Sequence, residues 1–229
     1  MALLALFDVD GTLFLSHDPL AGEALRETIE ACYPVQLPDD PMAGIDHAGQ
    51  TSLRIARLVL RNAGFSDEAI DERLACWCSA FAERYVELLA AADTASWQAA
   101  PGAVEALSRL ASAAVCPALL TGNPEPVARA RMERLGLASF FPVGQGAFGC
   151  EAESRTELVA LARDRANEWP AAQTVEIGDT LRDVGTAHEA EIRSIIVPSS
   201  RTAAEHADRA DAVCHDLGEA AAQLLAWNG

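Results

Sequence analysis

Lysine is absent from this 229-residue chain, and all 17 of its basic residues are arginine. Any function that needs a fixed cation must therefore use arginine or a metal ion. Acidic residues number 34, which gives a formal charge of −17. A field of this sign repels polyanions, so we expect neither nucleic acid nor an anionic membrane as a partner. A small anionic substrate is compatible with the charge where local cations or a metal overcome the field.

Long hydrophobic runs are also missing. No stretch approaches the roughly 18 apolar residues that a membrane helix needs. The apolar start has no basic segment before it and runs directly into Asp8, which is not the pattern of a signal peptide. The six cysteines are scattered and contain no pair of CxxC motifs. These features together favour a reducing, cytoplasmic setting with free thiols.

Short apolar runs recur along the chain, and helix-like segments separate most of them. Continuous rather than alternating apolar strands indicate a parallel sheet that is covered on both faces. The predicted strands are LLALF (3–7), AVCPALL (114–120), FFPVG (140–144), TVEIG (174–178), SIIVP (194–198) and DAVCH (211–215). The predicted fold class is therefore α/β, with a doubly wound parallel sheet.

The alternation of apolar strands and helices is interrupted at residues 16–97, which contain no comparable apolar strand. In LACWCSAFAERYVELLA (74–90) the apolar residues follow the i, i+3, i+4, i+7 spacing of a helix with one apolar face. We therefore predict a helical domain at 16–97, inserted into an α/β core made of 1–15 and 98–229. Cys78 lies on the apolar face, so core packing explains the Cys76/Cys78 pair better than metal binding does.

Compact polar clusters follow three of the predicted strands. The clusters are Asp8, Asp10, Gly11 and Thr12, then Thr121, Gly122 and Asn123, and finally Asp179 and Asp183. Each cluster alone is also explained by helix capping and turns. Three clusters in this order are harder to explain in that way, because ligands of open α/β sheets bind at the carboxyl ends of the strands. Four carboxylates at one edge repel one another, and Mg²⁺, which prefers oxygen ligands, would offset that repulsion.

The motifs DVDGTL, TGN and GDTLRD, in this order, resemble the motif set of the haloacid dehalogenase-like hydrolase superfamily. The helical insertion resembles the C1 cap of its phosphoglycolate-phosphatase-like members. The resemblance implies a Rossmann-like core and a Mg²⁺-dependent phosphatase. It also implies an aspartyl-phosphate intermediate and a small phosphorylated metabolite as the substrate.

The resemblance further implies roles for individual residues. Asp8 is the expected nucleophile, and Asp10 is the expected general acid and base. Asp10 favours a phosphate ester over a carbon–halogen substrate, because halide leaves without a proton. Thr121 is expected to be a catalytic residue that holds the phosphoryl oxygens while Asp8 attacks phosphorus. The implied metal ligands are Asp8, Asp10, Asp179 and Asp183, and the implied phosphate- or substrate-binding residues are Thr12, Gly122, Asn123 and His47.

The cation that the family usually supplies as lysine has no direct counterpart here. Arg155, at the start of a predicted helix, is the best placed substitute, and a solvated first-turn arginine is the alternative interpretation. Arg182 is a less favoured candidate for the cation. His47 lies in a glycine-bounded loop of the insertion, and we expect it to set specificity together with Asp46 and Gln50.

Four other functions stay open at this point. A sugar-phosphate mutase of the β-phosphoglucomutase kind usually carries a lysine-rich KPxPD-type third motif, which is absent here. A haloacid dehalogenase lacks the second acid. A receiver-like signalling module relies on a lysine and has no helical insertion. A non-catalytic phosphate-binding relative would not need both Asp8 and Asp10.

Overall fold

A computed structural model describes residues 2–113, 115–198 and 209–229. Its described strands form one sheet with the order β3–β2–β1–β4–β5–β6, and the neighbouring strands in this order pair in parallel. The strands are β1 Leu3–Phe7, β2 Val115–Thr121, β3 Ala147–Phe148, β4 Thr174–Gly178, β5 Arg193–Ile196 and β6 Ala212–Val213. The predicted α/β class with a parallel sheet is confirmed.

Helices cover both faces of the sheet. They are α1 Leu20–Cys32, α2 Ser52–Asn62, α3 Asp67–Ala91, α4 Ala103–Ala111, α5 Glu125–Arg134, α6 Arg155–Arg165, α7 Leu181–Glu189 and α8 Leu217–Asn228. One face packs against α4, α5 and α8, and the other packs against α6 and α7. Strand β1 sends Leu3, Ala5 and Phe7 to the first face and Leu4 and Leu6 to the second. Burial on both faces explains why its sequence is apolar throughout.

Helices α1, α2 and α3 form a separate apolar core, and we call residues 20–91 the helical unit. The large side chains of Trp77 and Tyr85 are fully buried there. The apolar face predicted for 74–90 lies on α3 and is mostly buried, and Val127 of α5 joins the same cluster. None of the helices in the described ranges has the length and apolar character needed to cross a bilayer.

One strand prediction is wrong. FFPVG (140–144) is not a strand: Ala138–Phe140 is a 3₁₀ turn, and β3 lies further on, at Ala147–Phe148. The backbone turns here, and Gly144 and Gly146 have φ angles of 83° and 88°, which glycine adopts readily. FFPVG has the apolar composition of a strand because Phe141 packs into the core, although it does so from a loop. The predicted AVCPALL strand begins at Ala114, which lies outside the described residues.

A disulfide joins Cys78 of α3 to Cys150, which follows β3, and the two Cα atoms are 6.0 Å apart. The expectation that all cysteines are free thiols is therefore wrong for this pair. A separation of 72 residues hides the pairing from any local motif, since the fold alone brings the two residues together. Cys78 is buried in the core of the helical unit, as predicted, and the described thiols of Cys32, Cys76, Cys116 and Cys214 are free.

Candidate active site

Three buried carboxylates meet at the carboxyl end of the sheet. Asp8 follows β1, Asp179 follows β4, and Asp183 lies in the first turn of α7. One oxygen from each lies within 4.8 Å of the others, and all three residues are buried. A set of carboxylate oxygens is the donor type that a hard cation such as Mg²⁺ prefers, so these residues fit that ion.

The ionised form of Asp8 is unfavourable in this cluster. Burial raises the pKa of Asp8 well above its usual value, and repulsion from Asp183 raises it further. Asp10 and Asp179 add smaller contributions of the same sign, while Arg155 opposes them. A divalent cation would lower the free energy of the ionised cluster, because it would replace repulsion by attraction.

A tight turn separates Asp8 from Asp10. The amides of Thr12, Leu13 and Phe14 all donate to the carbonyl oxygen of Val9. Gly11 closes the turn with a φ of 95°, a conformation that favours glycine. Thr12 is buried, and its hydroxyl has no hydrogen-bond partner within the part of the chain that the structure describes. Asp10 does not belong to the three-carboxylate cluster that follows this strand end.

Asp10 is held by a second network. Its carboxylate lies 2.9 Å from Nη1 of Arg131, and Asn123 donates its amide hydrogen to it at 2.5 Å. The Arg131 guanidinium also pairs with Asp18 at 2.5 Å and donates to the hydroxyl of Tyr85. Sequence reasoning missed Arg131, because its partners Asp10, Asp18 and Tyr85 all lie far from it along the chain.

The TGN segment lies directly under the helical unit. The Gly122 carbonyl accepts hydrogen bonds from the amide and hydroxyl of Ser52, at 2.8 and 2.9 Å. A Cβ at Gly122 would collide with the Gln50 carbonyl oxygen, so only glycine permits this approach. The Thr121 hydroxyl accepts from the backbone and side-chain amides of Asn123. The beginning of α2 is thus hydrogen-bonded to the residue that follows β2.

Arg155 is buried beside the carboxylate cluster, so the interpretation of a solvated arginine is wrong. Its Nη1 lies 3.5 Å from Asp8, and its Nη2 lies 2.7 Å from Asp183 and 3.1 Å from Glu176. Burial lowers the pKa of Arg155, but the attraction of Asp183, Asp8 and Glu176 outweighs it and the net pKa is raised. Burial raises the pKa of Glu176 to about 8, against the lowering effect of Arg155. Sequence reasoning missed Glu176, although a carboxylate inside the apolar run TVEIG is an available signal.

Arg182 faces the loop of the helical unit rather than the carboxylates. Its Nε donates to the Ala48 carbonyl at 2.9 Å, and its Nη2 pairs with Asp46 at 2.8 Å. A cleft of about 250 Å³ lies between this loop and α6–α7, and Gln50 and Arg155 are among its lining residues. His47 is exposed, with Nδ1 at 3.1 Å from the Ile45 carbonyl, and it is not among the lining residues of this cleft.

The chain is similar to known hydrolases over most of its length. A family model described as haloacid dehalogenase-like hydrolase matches residues 3–191. The phosphoglycolate phosphatase of Synechococcus elongatus is 27% identical over 194 residues, which is 84% of this chain and 82% of that protein. The phosphoglycolate phosphatase of Rhodospirillum rubrum is 29% identical over 208 residues, covering 86% and 80%. Among solved structures, CbbY from Rhodobacter sphaeroides in complex with phosphate has a TM-score of 0.70 at 21% identity and 96% coverage of both chains.

Proposed function

Because this chain belongs to the haloacid dehalogenase-like hydrolase family, we propose that it is a Mg²⁺-dependent phosphatase of small organic phosphate monoesters. The observation that carries the proposal is the buried cluster of Asp8, Asp179 and Asp183. Three anions at the ends of separate elements, with the pKa of Asp8 raised, form a site that a dication would stabilise. The names of the two phosphoglycolate phosphatases support a phosphate ester as substrate.

Asp8 acts as the nucleophile in this proposal. A carboxylate oxygen of Asp8 bonds to phosphorus while the bond from phosphorus to the ester oxygen breaks. Asp10 donates a proton to the departing alcohol, and its carboxylate then takes a proton from the attacking water. The water oxygen bonds to phosphorus, the aspartyl-phosphate bond breaks, and inorganic phosphate and the Asp8 carboxylate are released.

Asp8, Asp179 and Asp183 would hold the magnesium ion. When bound, the ion supplies positive charge that offsets the carboxylates and the substrate phosphate. Asp183 is itself oriented by the Thr180 capping box, since its Oδ2 accepts from the backbone amide and the hydroxyl of Thr180. Asp10 as a further ligand stays a prediction, since its side chain lies in the Arg131 network and outside the cluster.

Five residues would hold the phosphoryl oxygens. Arg155 offers a buried guanidinium beside Asp8, and cationic donors of this kind stabilise the charge that spreads over these oxygens. Thr12 and Thr121 supply buried hydroxyls. The end of β2 supplies the backbone of Gly122 and Asn123 at the start of α5, where amide groups favour anions.

The helical unit would act as a cap that shapes the substrate. Its loop contributes Gly49 and Gln50 to the lining of a cleft that Arg155 also lines. His47 and Asp46 remain specificity candidates on the same loop. Phosphoglycolate is the first ester to test, because both curated relatives are named for it.

Phosphate release from a panel of small esters, with Mg²⁺ and with EDTA, tests the proposal. We expect Mg²⁺-dependent turnover that Asp8→Asn abolishes without loss of the fold, as judged by circular dichroism. Asp39→Asn, at an exposed aspartate, is the matched control and should keep wild-type turnover. Activity in the purified Asp8→Asn variant would overturn the assignment of the nucleophile, and activity unaffected by EDTA would overturn the metal.

A further inference from the structure

Glu176 is an unusual residue for its place in the fold. It lies inside β4, where all five residues are buried, and the strand register pairs it with Leu6 of β1 and Ser194 of β5. Leu6 belongs to the apolar layer under α6 and α7. A carboxylate placed in such a layer has a large desolvation cost, so a specific partner must compensate it.

The partner of Glu176 is Arg155. The Nη2 group of Arg155 lies 3.1 Å from Glu176 and 2.7 Å from Asp183, while Nη1 lies 3.5 Å from Asp8. The guanidinium is thus held at one end by carboxylates from β4 and α7, and its other end faces the proposed nucleophile. A single hydrogen bond to Asp183 would leave the group free to turn about that bond. A second contact from a different element fixes the plane of the guanidinium.

An arginine needs such a second contact more than a lysine would. An ammonium is a compact point charge, whereas a guanidinium carries its donors in a flat fork with a fixed geometry. Buried donors that lack acceptors destabilise the folded state. Glu176 supplies an acceptor on the side of Arg155 that lies away from Asp8.

We propose that Glu176 is a positioning residue, which holds Arg155 so that Nη1 points to Asp8 and to the phosphoryl group. The inference rests on the proposed phosphatase function. Glu176 and Arg155, joined by the hydrogen bond from Nη2, then work as one unit in place of a lone lysine. A merely structural ion pair would change stability and leave the catalytic constants unchanged, which separates the two roles.

Single substitutions at Glu176 give the first test. Glu176→Leu removes the acceptor from an apolar layer, and we expect kcat to fall about tenfold or more, as small misplacements of catalytic groups do. Glu176→Gln keeps an acceptor oxygen and should stay within about threefold of wild type. Ser194→Ala changes a buried polar side chain in register with Glu176, and should leave kcat unchanged. A wild-type kcat in Glu176→Leu together with a lower Tm would overturn the inference.

The double variant gives the sharper test. In Arg155→Lys the ammonium faces two carboxylates, Glu176 and Asp183, that draw it away from Asp8, and we expect low kcat. Arg155→Lys with Glu176→Leu removes the competing carboxylate, so kcat should rise about tenfold above that of the single lysine variant. Glu176→Leu is thus expected to lower kcat when position 155 is arginine and to raise kcat when position 155 is lysine. Additive effects of the two substitutions would contradict the proposal.

Calorimetric titration with inorganic phosphate separates this inference from the proposed function. We expect weaker phosphate binding in Glu176→Leu than in wild type, and stronger binding in the double variant than in Arg155→Lys. If wild type binds phosphate but hydrolyses no ester, the proposed function fails, and the order of these affinities still decides the role of Glu176. Equal affinities in wild type and Glu176→Leu, or no binding by wild type, would overturn the positioning role.

Discussion

The guanidinium of Arg131 lies 2.9 Å from the carboxylate of Asp10, and the arginine is buried although Asp10 is partly exposed. Arg131 also pairs with Asp18 and donates to Tyr85, a residue of α3. The proposed general acid of the sheet is therefore tied to the helical unit through one side chain. We expect Arg131 to fix the direction of the Asp10 carboxylate.

Replacement of Arg131 by methionine keeps an unbranched side chain of similar stem and removes the charged guanidinium. We expect kcat to fall about tenfold to a hundredfold, a part of what general acid–base catalysis contributes. Buried Asp18 and half-buried Asp10 lose their arginine partner, so the free energy of unfolding should fall by roughly 3–5 kcal/mol. Steady-state kinetics and urea unfolding measure the two effects.

Arg134→Met is the matched control for this change, because Arg134 is exposed on the same helix. It should keep the wild-type kcat. An Arg131→Met variant that loses stability but keeps kcat would show that Arg131 has only a structural role.

Sequence reasoning identified the parallel sheet because its signal is local. Strand β1 must be apolar on both faces, and the DxDGT turn requires glycine at position 11 with its φ of 95°. The cluster of Asp8, Asp179 and Asp183 was also within reach, because parallel strands end at one edge of the sheet. Such features follow from periodicity and from the residue that comes directly after a strand.

Other features depend on contacts between distant segments, which no local pattern encodes. Arg131 and Asp18 are 113 residues apart, and Cys78 and Cys150 are 72 apart. FFPVG is as apolar as a strand, yet its backbone turns while Phe141 fills the core. Residues of this kind are recognised only once the packing is known.

The raised pKa of Asp8 predicts a pH dependence of stability. A carboxyl whose pKa is raised in the folded state favours that state most at low pH. This contribution is lost as pH rises above the ordinary aspartate pKa of 3.8 and through the raised pKa of the folded state. In EDTA the Tm of wild type should therefore fall from pH 5 to pH 8 more steeply than that of Asp8→Asn. Mg²⁺ should reduce this difference, because it compensates the ionised cluster.

Scanning calorimetry of both proteins at the two pH values, with and without Mg²⁺, makes the measurement. The contribution of Glu176, with its pKa near 8, is shared by both proteins and largely cancels in the comparison. Parallel pH profiles of wild type and Asp8→Asn in EDTA would contradict the predicted repulsion.

The disulfide of Cys78 and Cys150 should appear in a thiol count. Titration of the unfolded chain should find four thiols without reductant and six with it. Closure of a loop of this length contributes about 4 kcal/mol on the chain-entropy argument, so Cys78→Ser should lower the free energy of unfolding. Cys76→Ser, at an exposed thiol on the same helix, is the control and should leave both values as in wild type, apart from the removed thiol. Six thiols in the unreduced chain would rule out the bond.

Arg182, at the start of α7, contacts the loop of the helical unit. It donates a hydrogen bond to the Ala48 carbonyl and forms an ion pair with Asp46. The pair with Asp46 is exposed, so Arg182→Gln should change the free energy of unfolding by less than about 1 kcal/mol. We expect its main effect on substrate binding, since the same loop brings Gln50 to the cleft. KM for the hydrolysed ester should rise about fivefold to tenfold, with kcat within about twofold, as for a lost binding contact. Arg73→Gln is the control. It removes a hydrogen bond from an arginine to a backbone carbonyl, that of Cys32, and neither residue lines the cleft, so KM should stay unchanged. If both variants keep the wild-type KM, this loop does not position the substrate.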